Sequence, residues 1–231
     1  MRVILGKLLC DQLGVPYRQM LKIPELSEAA GLRRAAFTHD GTQMLARLPL
    51  TQLETDKSAY RNSDVLFVSR DLRDLLVSCY FQATRRIHVF EGSISSFIRH
   101  PCFGAEKILR FYVIWHEACR VPRSFTTLTY EAMHRDTVSA ATAAAKWLGI
   151  SPDPATLARA IEYASFDNMR RLEETGALDS GRMVPGNRLD QESYKTRRGK
   201  VGGYVDYLSN EDIAYLDDIE NRLGNPFKQI P

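Results

Sequence analysis

The 231-residue sequence has no long apolar run: the stretch from Val3 to Leu5 and then Leu8 to Cys10 is interrupted by Gly6 and Lys7. A membrane-spanning helix needs roughly 20 such residues, so no stable membrane anchor is expected. The opening "MRVILGKLLCDQLG" has a basic residue and an apolar stretch but no small-x-small cleavage site after it, and it reads as an amphipathic helix over 2–13 ending at Gly14. An excess of one charge is also missing. Thirty-one Lys+Arg against 28 Asp+Glu, a formal +3, is too mild to argue for a nucleic-acid partner by bulk electrostatics. The four cysteines, Cys10, Cys79, Cys102 and Cys119, form no CxxC pair and each lies in or beside an apolar stretch; reduced, packed thiols and a cytoplasmic location are the expectation. In "WHEAC" Arg120 stands where an HExxH zinc site needs its second histidine, so no metal is expected. A GxxxxGK[ST] loop is absent too, which argues against a small-molecule kinase.

What is present reads as one globular domain over 1–231, with 44% hydrophobic and 26% charged residues. Short apolar runs alternate with helical patterns, which predicts an α/β fold: a parallel sheet flanked by helices. Val65 to Val68 is the clearest strand, without alternation, as when both faces are covered. "SFTTLTYE" reads as a second strand and Ala35 to Phe37 as a possible third. Asp71 and Asp74 form an acidic variant of the capping box for the helix that follows the first strand. Further helices are expected at 104–119, after Asp136 until Gly149, at 154–163, at 166–174 with Ser165 as cap, and at 210–223. Thr175 to Gly203 is a loop, and a loop of that length inside a compact domain is more often functional or mobile than neutral.

Arg70 stands at the carboxyl end of the first strand, where open α/β sheets bind ligands and where helix amino termini attract anions. Its guanidinium offers a bidentate fork for phosphate, and Ser78, two helical turns on, adds a hydroxyl on the same side. The alternative is an ion pair with Asp71 or Asp74. "TRRGKVGG" supplies three cations and three glycines, either for close approach to an anion or as a solvated basic loop. His39 in "FTHDG" is either a base or an ordinary histidine, and Phe90, Phe97 and Phe103 either wall an apolar site or pack together.

Taken in order, four segments resemble the sulfotransferases that use 3′-phosphoadenosine 5′-phosphosulfate (PAPS), of bacterial type. "VSRDLRDLLVSCY" is similar to that family's 3′-phosphate strand-and-helix motif, which implies Arg70 and Ser78 as 3′-phosphate ligands. "TYEAM" resembles its Tyr-Glu strand end near the adenine, implying Tyr130. "ASFDNMRRLE" resembles its Ser-Phe-x-x-Met segment, implying Ser165, Phe166 and Met169 beside the nucleotide. "RRGKVGGY" resembles its Arg-Lys-Gly loop, implying Arg197, Arg198 and Gly199 on the 3′-phosphate, with Arg198 for Lys and Tyr204 for Trp. The resemblance also implies a P-loop nucleotide-hydrolase-like fold, residues 175–203 as a nucleotide-covering loop, PAPS as donor without a metal, and a hydroxyl-bearing small molecule, lipid or carbohydrate as acceptor. "FTHDG" resembles the family's Thr-His element, with His39 as general base, although Phe37 stands where many members have Lys. The family's first strand and its Lys-Ser-Gly-Thr-Thr-Trp type loop for the 5′-phosphosulfate have no counterpart in these residues. Without that strand the sheet is expected to have open edges and an apolar gap. Impaired turnover is expected, or, as the alternative, a non-catalytic nucleotide-binding or interaction module derived from such an enzyme.

Overall fold

A computed structural model of the chain describes residues 1–228. In chain order its helices and strands are α1 (Arg2–Leu13), α2 (Ile23–Ala29), β1 (Asp64–Ser69), α3 (Leu72–Phe81), α4 (Ile94–Ile98), α5 (Ala105–Glu117), β2 (Ser124–Thr129), α6 (Tyr130–Arg135), α7 (Thr137–Leu148), α8 (Pro154–Tyr163), α9 (Phe166–Thr175) and α10 (Asn210–Leu223). Local signals account for most of these boundaries. Asp71, Asp136 and Asp153 each accept a backbone N–H from the first turn of their helix. Gly14, Gly149 and Gly176 end theirs in the left-handed conformation that glycine adopts at little cost. Among the described residues no helix is long and apolar enough to cross a membrane.

The chain forms two compact units, Met1–Phe37 with Ala132–Gly199, and Thr38–Glu131 with Lys200–Pro231. In the first, α1 packs against α2, α7 and α8. The amphipathic reading of α1 is corrected here: Val3 through Cys10 are all buried, Gly6 and Lys7 included. Gly6 is needed for close approach, since a Cβ there would sit 2.0 Å from the Met20 carbonyl oxygen. Lys7 is accommodated by the Asp11 carboxylate at 2.6 Å and by the Tyr17 ring.

In the second unit β1 and β2 pair in parallel over six residues, from Asp64 opposite Ser124 to Ser69 opposite Thr129. Among the described residues this is the whole sheet, and the two strands meet directly with no gap between them. Phe67 is its centre, with its ring against Phe111, Tyr112, Trp115 and Phe125. Val68 on the opposite side is 45% exposed, so β1 is covered on one face there rather than on both. Helices α3, α4, α5 and α10 enclose a second core of Leu72, Leu76, Phe97, Leu109 and Leu216. Phe97 and Phe103 belong to it, stacked with centroids 5.6 Å apart, which decides for packing over an apolar site wall.

Three other expectations change. Ala35 to Phe37 is not a strand; the Ala35 N–H goes to the Ser27 hydroxyl at 3.0 Å instead of to a ladder. β2 stops at Thr129, and Tyr130 with Glu131 opens α6. Ser165 occupies the position before α9, but its side chain makes no capping bond.

Candidate functional site

The residues singled out in the sequence fall into two sets, one in each unit. In the unit holding the sheet, Arg70 directly follows β1, its N–H and C=O both hydrogen-bonded to the Tyr112 hydroxyl at 3.2 Å. Burial raises the pKa of that phenol, so it stays protonated. The Arg70 guanidinium lies on the Tyr130 ring, 4.1 Å from its centroid, a cation–π contact that orients the fork. Its side chain is 20% exposed, yet its polar contacts are long: 3.5 Å to the Lys200 carbonyl oxygen and 3.8 Å to Asp74 Oδ2. Arg70 Nε and the neighbouring Ser69 hydroxyl are buried with no hydrogen-bond partner among the described residues. Of the alternatives open in the sequence, Asp71 pairs with Arg73. Asp74 is only loosely placed against Arg70.

Asp74 has another task. It is 3% exposed and accepts the backbone N–H groups of Gly202 at 2.7 Å and Tyr204 at 3.0 Å. The expected capping box is therefore half made. Asp71 caps Arg73 and Asp74, but Asp74 does not reach back, and the Asp71 N–H is taken by Glu131 Oε1 at 2.9 Å. Ser78 is half-buried and one turn beyond Asp74, on the same helix face.

His39 is exposed, in a turn whose carbonyl accepts from the Thr42 N–H and hydroxyl. The next residue anchors that turn. Asp40, at φ 47°, receives the Tyr60 hydroxyl at 2.7 Å, Trp115 Nε1 at 3.0 Å and Lys57 Nζ at 2.7 Å. Burial, with Asp40 alongside, pushes the Tyr60 phenol up to about 12.

In the other unit one face of α9 supports the basic segment. Phe166, Arg170 and Glu173 are spaced by four and three residues and so share that face. Glu173 is fully buried and accepts the N–H groups of Lys195 at 2.6 Å and Thr196 at 2.8 Å, together with the Thr196 hydroxyl. Arg170 donates to the Thr196 carbonyl at 2.9 Å and lies over the Tyr194 ring. Phe166 covers Gly199, whose φ of 60° and whose lack of a Cβ, which would fall 2.6 Å from the ring, both require glycine. Ser165 is exposed and Met169 half-buried at the start of this helix. Arg197 and Arg198 bracket one carboxylate, Glu192, at 3.0 Å and 3.6 Å.

Asp40, Asp74, Glu173 and Glu192 were not among the sequence-based site residues. Helical spacing offered a signal for Asp74, four residues after Arg70, and for Glu173, seven after Phe166. Asp40 had no such signal. The thiols of buried Cys10 and half-buried Cys79 are both pushed up to about 11 by desolvation, so they are protonated at neutral pH.

Residues 48–224 match the sulfotransferase domain family. Arg70, Ser78, Tyr130, Ser165, Phe166, Met169 and Arg197 to Gly199 lie inside that range, whereas His39 lies before it. Sulfotransferase 4A1 of Mus musculus is 33% identical over 109 residues, and that of Homo sapiens 32% over the same length; each match takes in 44% of this chain. The chain spans 37% of the length of these curated relatives. Two solved structures share the fold. Mouse sulfotransferase SULT7A1 complexed with PAP has a TM-score of 0.60 at 17% identity, covering 84% of this chain and 66% of that one. Retinol dehydratase with androsterone and the inactive cofactor PAP has a TM-score of 0.58 at 18% identity, covering 80% and 53%.

Proposed function

The chain belongs to the sulfotransferase domain family, and from that premise we propose that it binds the nucleotide of PAPS and carries the acceptor-activating part of sulfuryl transfer to a hydroxyl. The observation that supports this most is the state of Arg70: a guanidinium over the Tyr130 ring, with a buried Nε that has no hydrogen-bond partner among the described residues and only long contacts at Nη2. A desolvated fork of this kind gains most from a phosphate, which accepts two N–H bonds at once. In this reading Arg70 and Ser78 take the 3′-phosphate and Tyr130 faces the adenine side. Phe166 and Met169, with Ser165, are read as bordering the nucleotide, and Arg197, Arg198 and the backbone of Gly199 as 3′-phosphate donors within the covering loop 175–203.

The reaction needs little covalent chemistry from the protein. His39 takes the proton of the acceptor hydroxyl as its oxygen attacks sulfur. The bond between sulfur and the bridging oxygen of the 5′-phosphate breaks, and adenosine 3′,5′-bisphosphate leaves with the electron pair. Positioning and cations that offset charge on the leaving oxygen then set the rate, as in phosphoryl transfer. Acceptors in this reading are hydroxyl-bearing small molecules, lipids or carbohydrates, and the setting is a single cytoplasmic domain. These 231 residues hold no Lys-Ser-Gly-Thr-Thr-Trp type segment, so the polypeptide assayed by itself binds nucleotide but turns over poorly. The second reading is a nucleotide-binding module without catalysis; in its favour, His39 lies outside the residues that match the family.

Calorimetric titration with adenosine 3′,5′-bisphosphate tests the nucleotide site, with Arg70→Ala checked for folding by circular dichroism. Binding is expected for the natural chain and its loss for Arg70→Ala; equal binding by both would remove Arg70 from the site.

A further inference from the structure

Arg197 and Arg198 do not await an anion with open hands: each points a guanidinium nitrogen at a different oxygen of the Glu192 carboxylate. Arg197 Nη1 is 3.0 Å from Oε2 and Arg198 Nη2 is 3.6 Å from Oε1. One carboxylate facing two adjacent arginines presents the charge and the paired oxygens of a phosphate edge. We propose that Glu192 is a built-in competitor for the phosphate that these arginines bind, so that the nucleotide must displace its carboxylate. The inference rests on the nucleotide-binding reading above and deepens it.

Which partner moves follows from what holds each. The backbone beneath the arginines is fixed, because buried Glu173 takes the amides of Lys195 and Thr196 and Arg170 takes the Thr196 carbonyl. Those bonds fix the segment from which the two arginine side chains project. Glu192 sits on a three-residue turn, Gln191–Ser193, whose backbone is separately held by Asp190 and Ser193. Its side chain is 28% exposed, so it can rotate into water while the turn stays in place. A dianionic phosphate monoester outcompetes it through its second charge and third oxygen. A ligand with one negative charge gains little over the carboxylate already there. Glu192 thus makes the site selective for nucleotides carrying the 3′-phosphate and sets their affinity below what two arginines could provide.

The test uses the whole chain and two probes, adenosine 3′,5′-bisphosphate and adenosine 5′-phosphate, titrated calorimetrically into the natural protein, Glu192→Gln and Glu192→Ala. Both variants are expected to bind the bisphosphate about twofold to fivefold more tightly, the scale set by a partly exposed ion pair, with the monophosphate unchanged. Two different substitutions guard against one that misfolds. Unchanged or weaker bisphosphate binding in folded variants of a chain that does bind would overturn the inference, the weaker result meaning that Glu192 orders the arginines for the ligand. Failure of every folded form to bind the bisphosphate would instead overturn the nucleotide-binding reading itself, and this inference with it.

Discussion

Asp74→Asn changes one oxygen to an amide nitrogen and keeps the shape of the side chain. In the protein both Asp74 oxygens are in use, one accepting the Gly202 N–H at 2.7 Å and the other the Tyr204 N–H at 3.0 Å, in a site that is 3% exposed. Asparagine can accept only one of these, and its amino group would face the second donor. A hydrogen bond to a charged group contributes roughly 1.5–3 kcal/mol, and a buried donor left unpaired costs a similar amount. The expected loss is about 2–3 kcal/mol, felt first where the loop meets α3. Amide hydrogen exchange reads this directly. With about 1.4 kcal/mol per tenfold, one of the two amides should lose protection by roughly 30- to 150-fold. The amides of Lys195 and Thr196, which depend on Glu173, should keep theirs. Since Lys200 and Gly202 meet the Arg70 and Asp74 side chains, nucleotide affinity should fall as well. If Gly202 and Tyr204 exchanged in Asp74→Asn as in the natural chain, the claim that this carboxylate holds the loop would be wrong.

Two further expectations follow from other buried charges. Asp40→Ala would leave Lys57, 2% exposed, without its carboxylate; breaking such a pair typically costs about 3–5 kcal/mol, a large share of ordinary domain stability. Urea unfolding should show it, and a loss under about 1 kcal/mol would contradict the contact. Asp212 is pushed up by burial, but Arg99, Ser95 and Ser209 pull harder and its carboxyl is lowered overall. A lowered folded-state value means stability that is fully present above the unfolded value, about 3.9, and that is lost as pH falls through the folded one. The stability gap between the natural chain and Asp212→Asn should therefore hold from pH 7 to about 5 and narrow below about 4; a gap that widened on acidification would reverse the argument.

Much of this protein is determined by its sequence, because the signals involved act within a few residues. Asp71, Asp136 and Asp153 cap the helices that follow them, and Gly14 and Gly149 stop those before them, through bonds that need only neighbouring backbone. The parallel pairing of β1 with β2 was legible too, in an apolar run and a β-branched and aromatic stretch separated by helical patterns. The family was legible because four short motifs kept their order, and a motif does not depend on knowing where its residues end up.

Tertiary structure decided the rest, chiefly what each charge is for. Asp74 looked like a helix cap and instead holds amides 128 and 130 residues away. Asp40 receives an indole 75 residues distant, and Glu173 a segment 22 residues on. α1 looked amphipathic, yet its lysine is buried against Asp11 and Tyr17. A carboxylate carries no mark of its eventual donor: the choice is made when packing excludes water and every buried polar group must find a partner nearby. Local hydrogen bonds compete only with adjacent chain and can be read in one dimension, whereas the partners of buried charges are selected by the fold as a whole.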